Sequence, residues 1–540
     1  MDIKYNEKNE VELPVFAELN ENIEALDSLF HGWGDIVRKE FRLEREDGYL
    51  SVYIIYIDGL TDNEMVERTI TRPFLFEWRE GNSNSVINRQ EANAHSQKEI
   101  ENKQGETHTV EKHKRIKADE QMFRELFHNQ AEAVDLVEKT TMMDVLDGVL
   151  KGDTAVFVDG VGKAMLLSTK KYPTRAVNFP QKEAGLKGPR DSFLENFRLN
   201  TALIRRRIKD PKMKLTQGVV GQRSRTIYGL MYMEDLVYPS LLKEIEEKLN
   251  SFEIDGIFDS GMLVHLLEEK WYSPFPQVQT TERPDKAASA IMEGRVVLIV
   301  DNSSEVIILP TTLNTFFQAA DDYYNRFAVG SFARLLRYLA AFITVLLPGL
   351  YIAITCFYPQ VLPANLLLAI AGARNDVTFP IVIEVLLMEL LFELLREAGI
   401  RLPGQMGNTI GVVGGLIVGQ AAVEASLVST IVVIVVALGA IASFAIPNED
   451  FASTFRLLKF LMIILGTLWG LYGIVLGILV LLIHLAKLES FGIPYMMPLV
   501  SGSIDDDEEF QDFVVRKPIF TMKKRPLYTR RGRRTRFWWR

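Results

Sequence analysis

IMEGRVVLIVDNSSEVIILPT (291–311) and VLKGDTAVFVDGVGKAMLLST (149–169) are two versions of one pattern. Gly152 falls on Gly294, Val158-Asp159 on Val300-Asp301 and Leu167 on Leu309, all at an offset of 142. Each stretch has a β-branched run, an Asp-Gly or Asp-Asn turn and a second apolar run, which predicts a hairpin. Upstream, YIIYIDGL (53–60) resembles GLMYMEDL (229–236) at an offset of 176. The offsets differ by 34, and between the two matching elements of the first copy lies EGNSNSVINRQEANAHSQKEIENKQGETHTVEKHKR (80–115), almost free of large apolar groups. A segment with so little to bury does not order itself, so it reads as a disordered insertion. Removing a stretch of that length makes the copies collinear. The expectation is a duplicated α/β unit; its rival is a chance match of hairpin patterns.

The rest of the chain divides around this duplication. Of 540 residues with net charge -9, the first 330 carry most of the acids, 55 of 70, whereas 332–488 holds apolar runs of bilayer-spanning length. The predicted fold class is therefore an α/β soluble N-terminal region of two related subdomains followed by an α-helical polytopic transmembrane domain. The boundaries are an N-terminal segment 1–32, subdomain one at 33–185 with the insertion 80–115, subdomain two at 186–325, a membrane domain 326–490 of four to five spans, and a tail 491–540. MDIKYNEKNEVELP at the start has no apolar core and no small-residue cleavage site, so it does not read as a signal peptide and leaves the soluble region cytoplasmic. The one cysteine, Cys356, sits in an apolar run, which excludes a disulfide framework and a cysteine metal site.

The first span is 332–358, entered past Arg326, Arg334 and Arg337, whose charge argues for a cytoplasmic start; Pro348-Gly349 marks a kink. The run after it is too short to cross. IVIEVLLMELLFELLREAGIRLP (381–403) carries Glu384, Glu389, Glu393 and Glu397, acids that avoid lipid and so either line water or lie at the interface. In 407–447, Gly407, Gly411, Gly415 and Gly419 recur at every fourth position, a face for close helix packing. Thr409, Val413, Leu416, Gln420 and Glu424 form a second, partly polar stripe on the same helix. That stripe reads as pore-lining, or else as a polar pair buried within one subunit. A last span covers 457–488, with paired glycines at Gly466/Gly470 and Gly473/Gly477.

The tail has an acidic block at 505–509 and then eleven Lys/Arg without an acid from 516 to 540, closing on Phe537-Trp538-Trp539. It reads as an anionic-lipid anchor, as a nucleic-acid binder, or as a solvated tail with no partner. Ahead of the first span, PFPQVQTTERPD (274–285) is stiffened by Pro274, Pro276 and Pro284. Glu282, Arg283 and Asp285 in it offer charges to a neighbour. It reads as a coupling piece that carries movement into the membrane, or as a plain turn at a domain edge. No P-loop, nucleophile elbow or metal-ligand spacing occurs, so no enzyme, cofactor or metal is expected.

GPRDSFLENFRLNTALIRRRIKD (188–210), PFPQVQTTERPD, DDYY (321–324), the 379–429 stretch beginning FPIVIEVLLMELL and SFGIPYMMPL (490–499) together resemble the GerA family, the A subunits of spore germinant receptors. The resemblance covers about residues 33–500 and departs at the insertion and the acidic-basic tail. It implies a multi-pass protein of the spore inner membrane with the N-terminal domain on the core side. It also implies a transporter-like, germinant-binding B subunit and a lipoprotein C subunit as partners, with no nucleic acid. The function it implies is a ring-like oligomer acting as a germinant-gated cation channel; a non-conducting scaffold and a sporulation-stage paralogue that amplifies germination are the alternatives.

Overall fold

A computed structural model describes residues 11–45, 48–73, 115–128, 135–171, 180, 182–183, 185, 187–401, 419–500, 512–526, 528–530, 532 and 535. The insertion 80–115 lies outside these residues except at Arg115, which opens a short strand.

Two antiparallel-rich sheets carry the N-terminal region. The first contains β1 (Ile36–Arg45), β2 (Gly48–Ile57), β3 (Arg115–Ile116), β4 (Leu136–Lys139), β5 (Thr154–Val158) and β6 (Ala164–Leu167), in the order β1-β2-β5-β6-β4 with β3 beside β2. The second contains β7 (Met213–Val220), β8 (Thr226–Met233), β9 (Gln279–Thr281), β10 (Val296–Val300) and β11 (Val306–Leu309), in the order β7-β8-β10-β11-β9. The two orders are the same path. The hairpin β5-β6 maps onto β10-β11 at the offset of 142, and the end of β2 maps onto the end of β8 at 176.

Helices repeat as well. The first copy has α1 (Leu19–Leu29), α2 (Glu120–His128) and α3 (Met142–Leu150); the second has α4 (Phe197–Arg205), α5 (Pro239–Leu249), α6 (Ser260–Leu267) and α7 (Pro284–Met292). Helices α3 and α7 correspond at 142. Helices α1 and α4 correspond through their entry loops. The Asn22 side chain accepts from Phe16 N (2.9 Å) and donates to Phe16 O (2.7 Å). The Asn200 side chain likewise accepts from Leu194 N (2.8 Å) and donates to the Leu194 carbonyl. The hairpin-turn aspartates repeat too, since Asp159 Oδ1 accepts from Leu19 N (3.0 Å) and Asp301 Oδ1 from Phe197 N (3.1 Å). This corrects the boundary at residue 33. Val11, Val15, Leu19, Leu26 and Phe30 are buried in the core of the first sheet, so the unit begins well before it.

The helical region contains α8 (Phe327–Phe357), α9 (Ala364–Ala373), α10 (Ile381–Arg401), α11 (Thr430–Phe444) and α12 (Glu449–Ala486). Helices α8 and α12 are long and apolar enough to cross a membrane. Pro348 lies inside α8, which remains one continuous helix.

The expected last span, 457–488, is not one rod. Gly470 has φ 57 and ψ -137, outside the helical region, and the chain reverses there. Phe275 touches both ends of α12, with ring centroids 6.2 Å from Phe451 and 6.1 Å from His484. In a straight helix those two residues would stand roughly 50 Å apart. A Cβ on Gly477 would come within 2.8 Å of Met462 Sδ, so the two halves are pressed together along their glycines. The first half runs alongside α8 in the same direction. A Cβ on Gly349 would meet Met462 O at 2.7 Å, one on Gly466 would meet Gly349 O at 2.7 Å, and Gly470 lies on the Phe357 ring. Only glycine permits so close an approach of two backbones.

Candidate functional site: the junction between sheets and helices

The two sheet units are joined by a buried charge pair. Arg205, 1% exposed, donates to both Asp35 oxygens (2.7 and 2.8 Å) and to Met213 O (2.7 Å), and its guanidinium lies 3.4 Å from the Trp33 ring centroid. Backbone bonds Gly34 N to Leu215 O (3.0 Å) and Leu215 N to Gly32 O (3.1 Å) extend the second sheet by one bridge from the first unit. A buried pair satisfied on every side fixes one geometry between the two units.

The coupling stretch lies between this body and the helices. Pro274 O accepts a hydrogen bond from Thr454 Oγ1, and Phe275 is packed among Phe451, Phe455, His484 and Tyr495. Beyond Pro276, Gln277 O accepts from Ser490 Oγ (2.7 Å). Glu282 accepts from Lys182 N (3.2 Å) through its side chain and from Phe193 N (2.8 Å) through its backbone. Pro284 opens α7, not a turn, because its missing N–H costs nothing at a first helical position. Arg283 is buried and grips Asp285 (2.9 and 3.1 Å) and Pro189 O (3.0 Å), so its charge is not offered to a neighbour as the sequence suggested. Asp285 also accepts from Tyr324 OH (2.8 Å), three residues before α8. Burial works to raise the Asp285 carboxyl, but the bonds and charge of Arg283 and the Tyr324 hydroxyl outweigh it and hold the group below the usual carboxylate range. Burial, then Asp285, pushes the Tyr324 hydroxyl up to about 12.

A second clamp closes over the start of α8. Buried Asp322 accepts from Arg337 Nη1 (2.7 Å) and Arg334 Nε (3.4 Å). Arg334 also reaches Asp512 Oδ1 (2.8 Å), which takes a further bond from Tyr323 OH (2.5 Å) through its other oxygen. Arg516, buried, donates to the carbonyls of Asp322 and Asn325. Two of the three arginines expected to mark a cytoplasmic face are thus neutralised by acids of the chain. The tail is corrected likewise. Tyr528 OH meets Thr312 Oγ1 (2.9 Å), Thr529 Oγ1 donates to Glu293 O (2.7 Å) and Arg530 N to Leu236 O (2.7 Å), so its described part is a strap on the second sheet unit. Residues 505–509 and 536–540 lie outside those described.

The helix acids also differ from expectation. Glu384 is buried against Arg374 Nε (3.1 Å) and accepts from Ser429 N (2.9 Å). Glu389 and Glu393 both pair with Lys459 (2.5 and 2.9 Å). Arg396 pairs with Glu449 on the same seam, which ties α10 antiparallel to the first half of α12. Glu384 and Glu389 are thus buried against cations, Glu393 is partly exposed, and Glu397 is exposed and paired with Arg401 of its own helix (2.6 Å). Of the glycine face, Gly419 is buried 3.7 Å (as a Cβ) from Val433; Gly407, Gly411 and Gly415 lie outside the described residues. Of the polar stripe, Gln420 and Glu424 are exposed and bonded to each other (3.0 Å), at the end of the bundle away from the sheets; Thr409, Val413 and Leu416 lie outside the described residues.

Sequence reasoning missed Asp35, Arg205, Asp322, Arg334 as a ligand of Asp512, and Arg516. Asp322 had a visible signal in the DDYY motif and Arg205 in the 188–210 motif, but nothing local names a partner more than a hundred residues away.

The family model for the Bacillus/Clostridium GerA spore germination protein matches residues 24–528. Spore germination protein A1 of Bacillus subtilis is 40% identical over 404 residues, covering 75% of this chain and 83% of that protein. The uncharacterized membrane protein YfkQ of Bacillus subtilis is 34% identical over 530 residues, covering 98% of this chain and 94% of that one. Among solved structures, the N-terminal domain of the A subunit of the Bacillus megaterium spore germinant receptor GerK3 matches at 22% identity and a TM-score of 0.39, over 57% of this chain and 97% of that one. The match spans both sheet units, the junction and the helices, and the chain belongs to the GerA spore germination protein family.

Proposed function

We propose that this chain is the A subunit of a spore germinant receptor in the spore inner membrane. It works there with a germinant-binding B subunit and a lipoprotein C subunit, and it oligomerises as a cation channel that opens when germinant is sensed. The observation that carries this reading is the junction. Pro274, Phe275, Asp322 and Arg334 bind the sheet units to α8 and to both ends of α12 without a slack linker, so movement of the sheets must displace the helices. Among the described residues, α8 and α12 are the helices long and apolar enough to cross a membrane, and α12 folds back on itself at Gly470. The chain leaves α10 beside Glu449 and is at the opposite end by Ser426, whose carbonyl accepts from Thr378 N (3.3 Å). In this reading the chain is multi-pass, with both the sheets and the C-terminal strap on the cytoplasmic side.

A non-conducting scaffold is the second reading, favoured by Glu384, Glu389 and Glu393 all being paired with cations inside the bundle. Conductance of the purified chain in a planar bilayer, with and without its partners, separates the two. The channel reading expects cation current that Glu424→Gln reduces while assembly persists, because a ring of carboxylates at the mouth concentrates cations. Assembly without any current, at every partner composition, supports the scaffold.

A further inference from the structure

Among the described residues, the most exposed large aromatic pair of the sheet region stands at its base. Trp271 is 84% exposed and Tyr272 63%, their rings edge to face at 6.0 Å. The loop carrying them is fastened to the last turn of α12: Ser273 Oγ meets His484 Nε2 at 2.8 Å, Tyr272 lies 6.3 Å from the His484 ring, and Lys270 Nζ donates to the Lys487 carbonyl. From there an exposed apolar face runs along the second half of α12 through Ile483, Leu479 and Val475. It ends at the chain reversal, where Trp469 and Tyr472 flank Gly470 and are exposed as well. An apolar rod of about 24 Å, at 1.5 Å per residue, therefore carries Trp-Tyr pairs at both ends. Aromatic rings of this amphipathic kind gather at the two headgroup boundaries of a bilayer whose hydrocarbon layer is about 30 Å thick. At one end the rings belong to the helix; at the other they belong to the soluble unit.

We infer that Trp271 and Tyr272 insert into the headgroup layer of the phospholipid bilayer on the sheet side, so that the second sheet unit is anchored to lipid as well as to the helices. This rests on the membrane reading of α12. Continuity with the lipid-facing side of α12 selects lipid over a protein partner, and Lys487, exposed beside the loop, lies at the level of the lipid phosphates.

The test uses the full chain in nanodiscs of phosphatidylcholine and phosphatidylglycerol, with Cys356→Ser as background. Single cysteines at Trp271→Cys, Val475→Cys and Lys243→Cys carry an environment-sensitive fluorophore, quenched either by a lipid bearing a nitroxide near the headgroup or by aqueous iodide. Position 271 is expected to show blue-shifted emission, quenching by the lipid nitroxide and loss of iodide quenching relative to 243. Iodide quenching at 271 equal to that at 243, while 475 responds to lipid, overturns the inference. So does protection at 271 from both quenchers, which would mean that protein covers the loop. Failure of lipid to reach 475 instead breaks the membrane reading of α12.

Discussion

The two sheet units share one path and nearly one register, yet their outer edges meet different fates. In the first unit the edge strand β4 exposes Val137; in the second the edge strand β9 is covered, with Gln279 donating to Thr315 O (3.2 Å) and accepting from Arg295 (3.2 Å). The helix before the hairpin shows the same contrast. Thr141 caps α3 by accepting from Asp144 N (3.3 Å), a purely local role. The residue at the matching place before α7 is Arg283, which caps nothing and reaches Asp285 and Pro189 instead. Duplication supplied one scaffold twice, and the copy next to the helices exchanged local caps for long-range clamps. An edge strand left open is a liability that one copy meets with short length and charge and the other with burial.

The largest expected effect separates the copies outright. Asp35→Ala leaves the Arg205 guanidinium buried without its counter-charge, a loss of about 3–5 kcal/mol. Denaturant unfolding of the full chain, followed by near-ultraviolet signal, should show it. Replacing both residues with apolar ones should recover much of the loss, and a single mutant of unchanged stability would mean that the units are not held by this pair.

Next comes a change confined to the helices. Gly349→Ala puts a methyl against Met462 O and should cost about 1–3 kcal/mol through forced backbone displacement. Protease resistance of the helical region should fall while that of the sheets stays, and loss in both together would show a body more unified than the two contrasted here.

A sharper comparison uses the entry-loop asparagines. Asn22→Ala and Asn200→Ala each strand a buried N–H and C=O, at about 1–3 kcal/mol. Equal losses in the two variants are expected if the copies remain energetically equivalent. A much larger loss at Asn200 would place the helix clamps in control of the second copy.

The smallest effect is acid sensitivity at the junction. Asp285 is held below its unfolded value, so its contribution is complete above about pH 4, the unfolded aspartate range, and is lost as pH falls through the lower folded value. The first copy carries Met143 at the matching position and has no such limb. Stability of the full chain measured from pH 5 downward should decline less steeply in Asp285→Asn than in the parent.

Much of this architecture was legible in the residues. Hairpins, their offsets and the long apolar helices are written in patterns of period two and of unbroken hydrophobicity, which depend on neighbours in sequence. The upstream reach of the repeat was not read, because its marker is one asparagine six residues after a loop residue, with no apolar identity beside it. The glycine pairs at 466, 470, 473 and 477 were visible as small residues, but their meaning as a reversal rests on the positive φ of Gly470 and on which helix lies opposite.

Strand positions, turn sites and the apolar character of the helices follow from local chemistry, and the chain alone sufficed for them. The partners of Glu384, Glu389 and Glu393, the burial of Arg205 and Arg334, and the docking of the strap at Asp512 and Arg516 were set by the fold. A charged group can be buried only where an opposite charge or carbonyl oxygens arrive to meet it, and here the opposite charges arrive from 10 to 178 positions away.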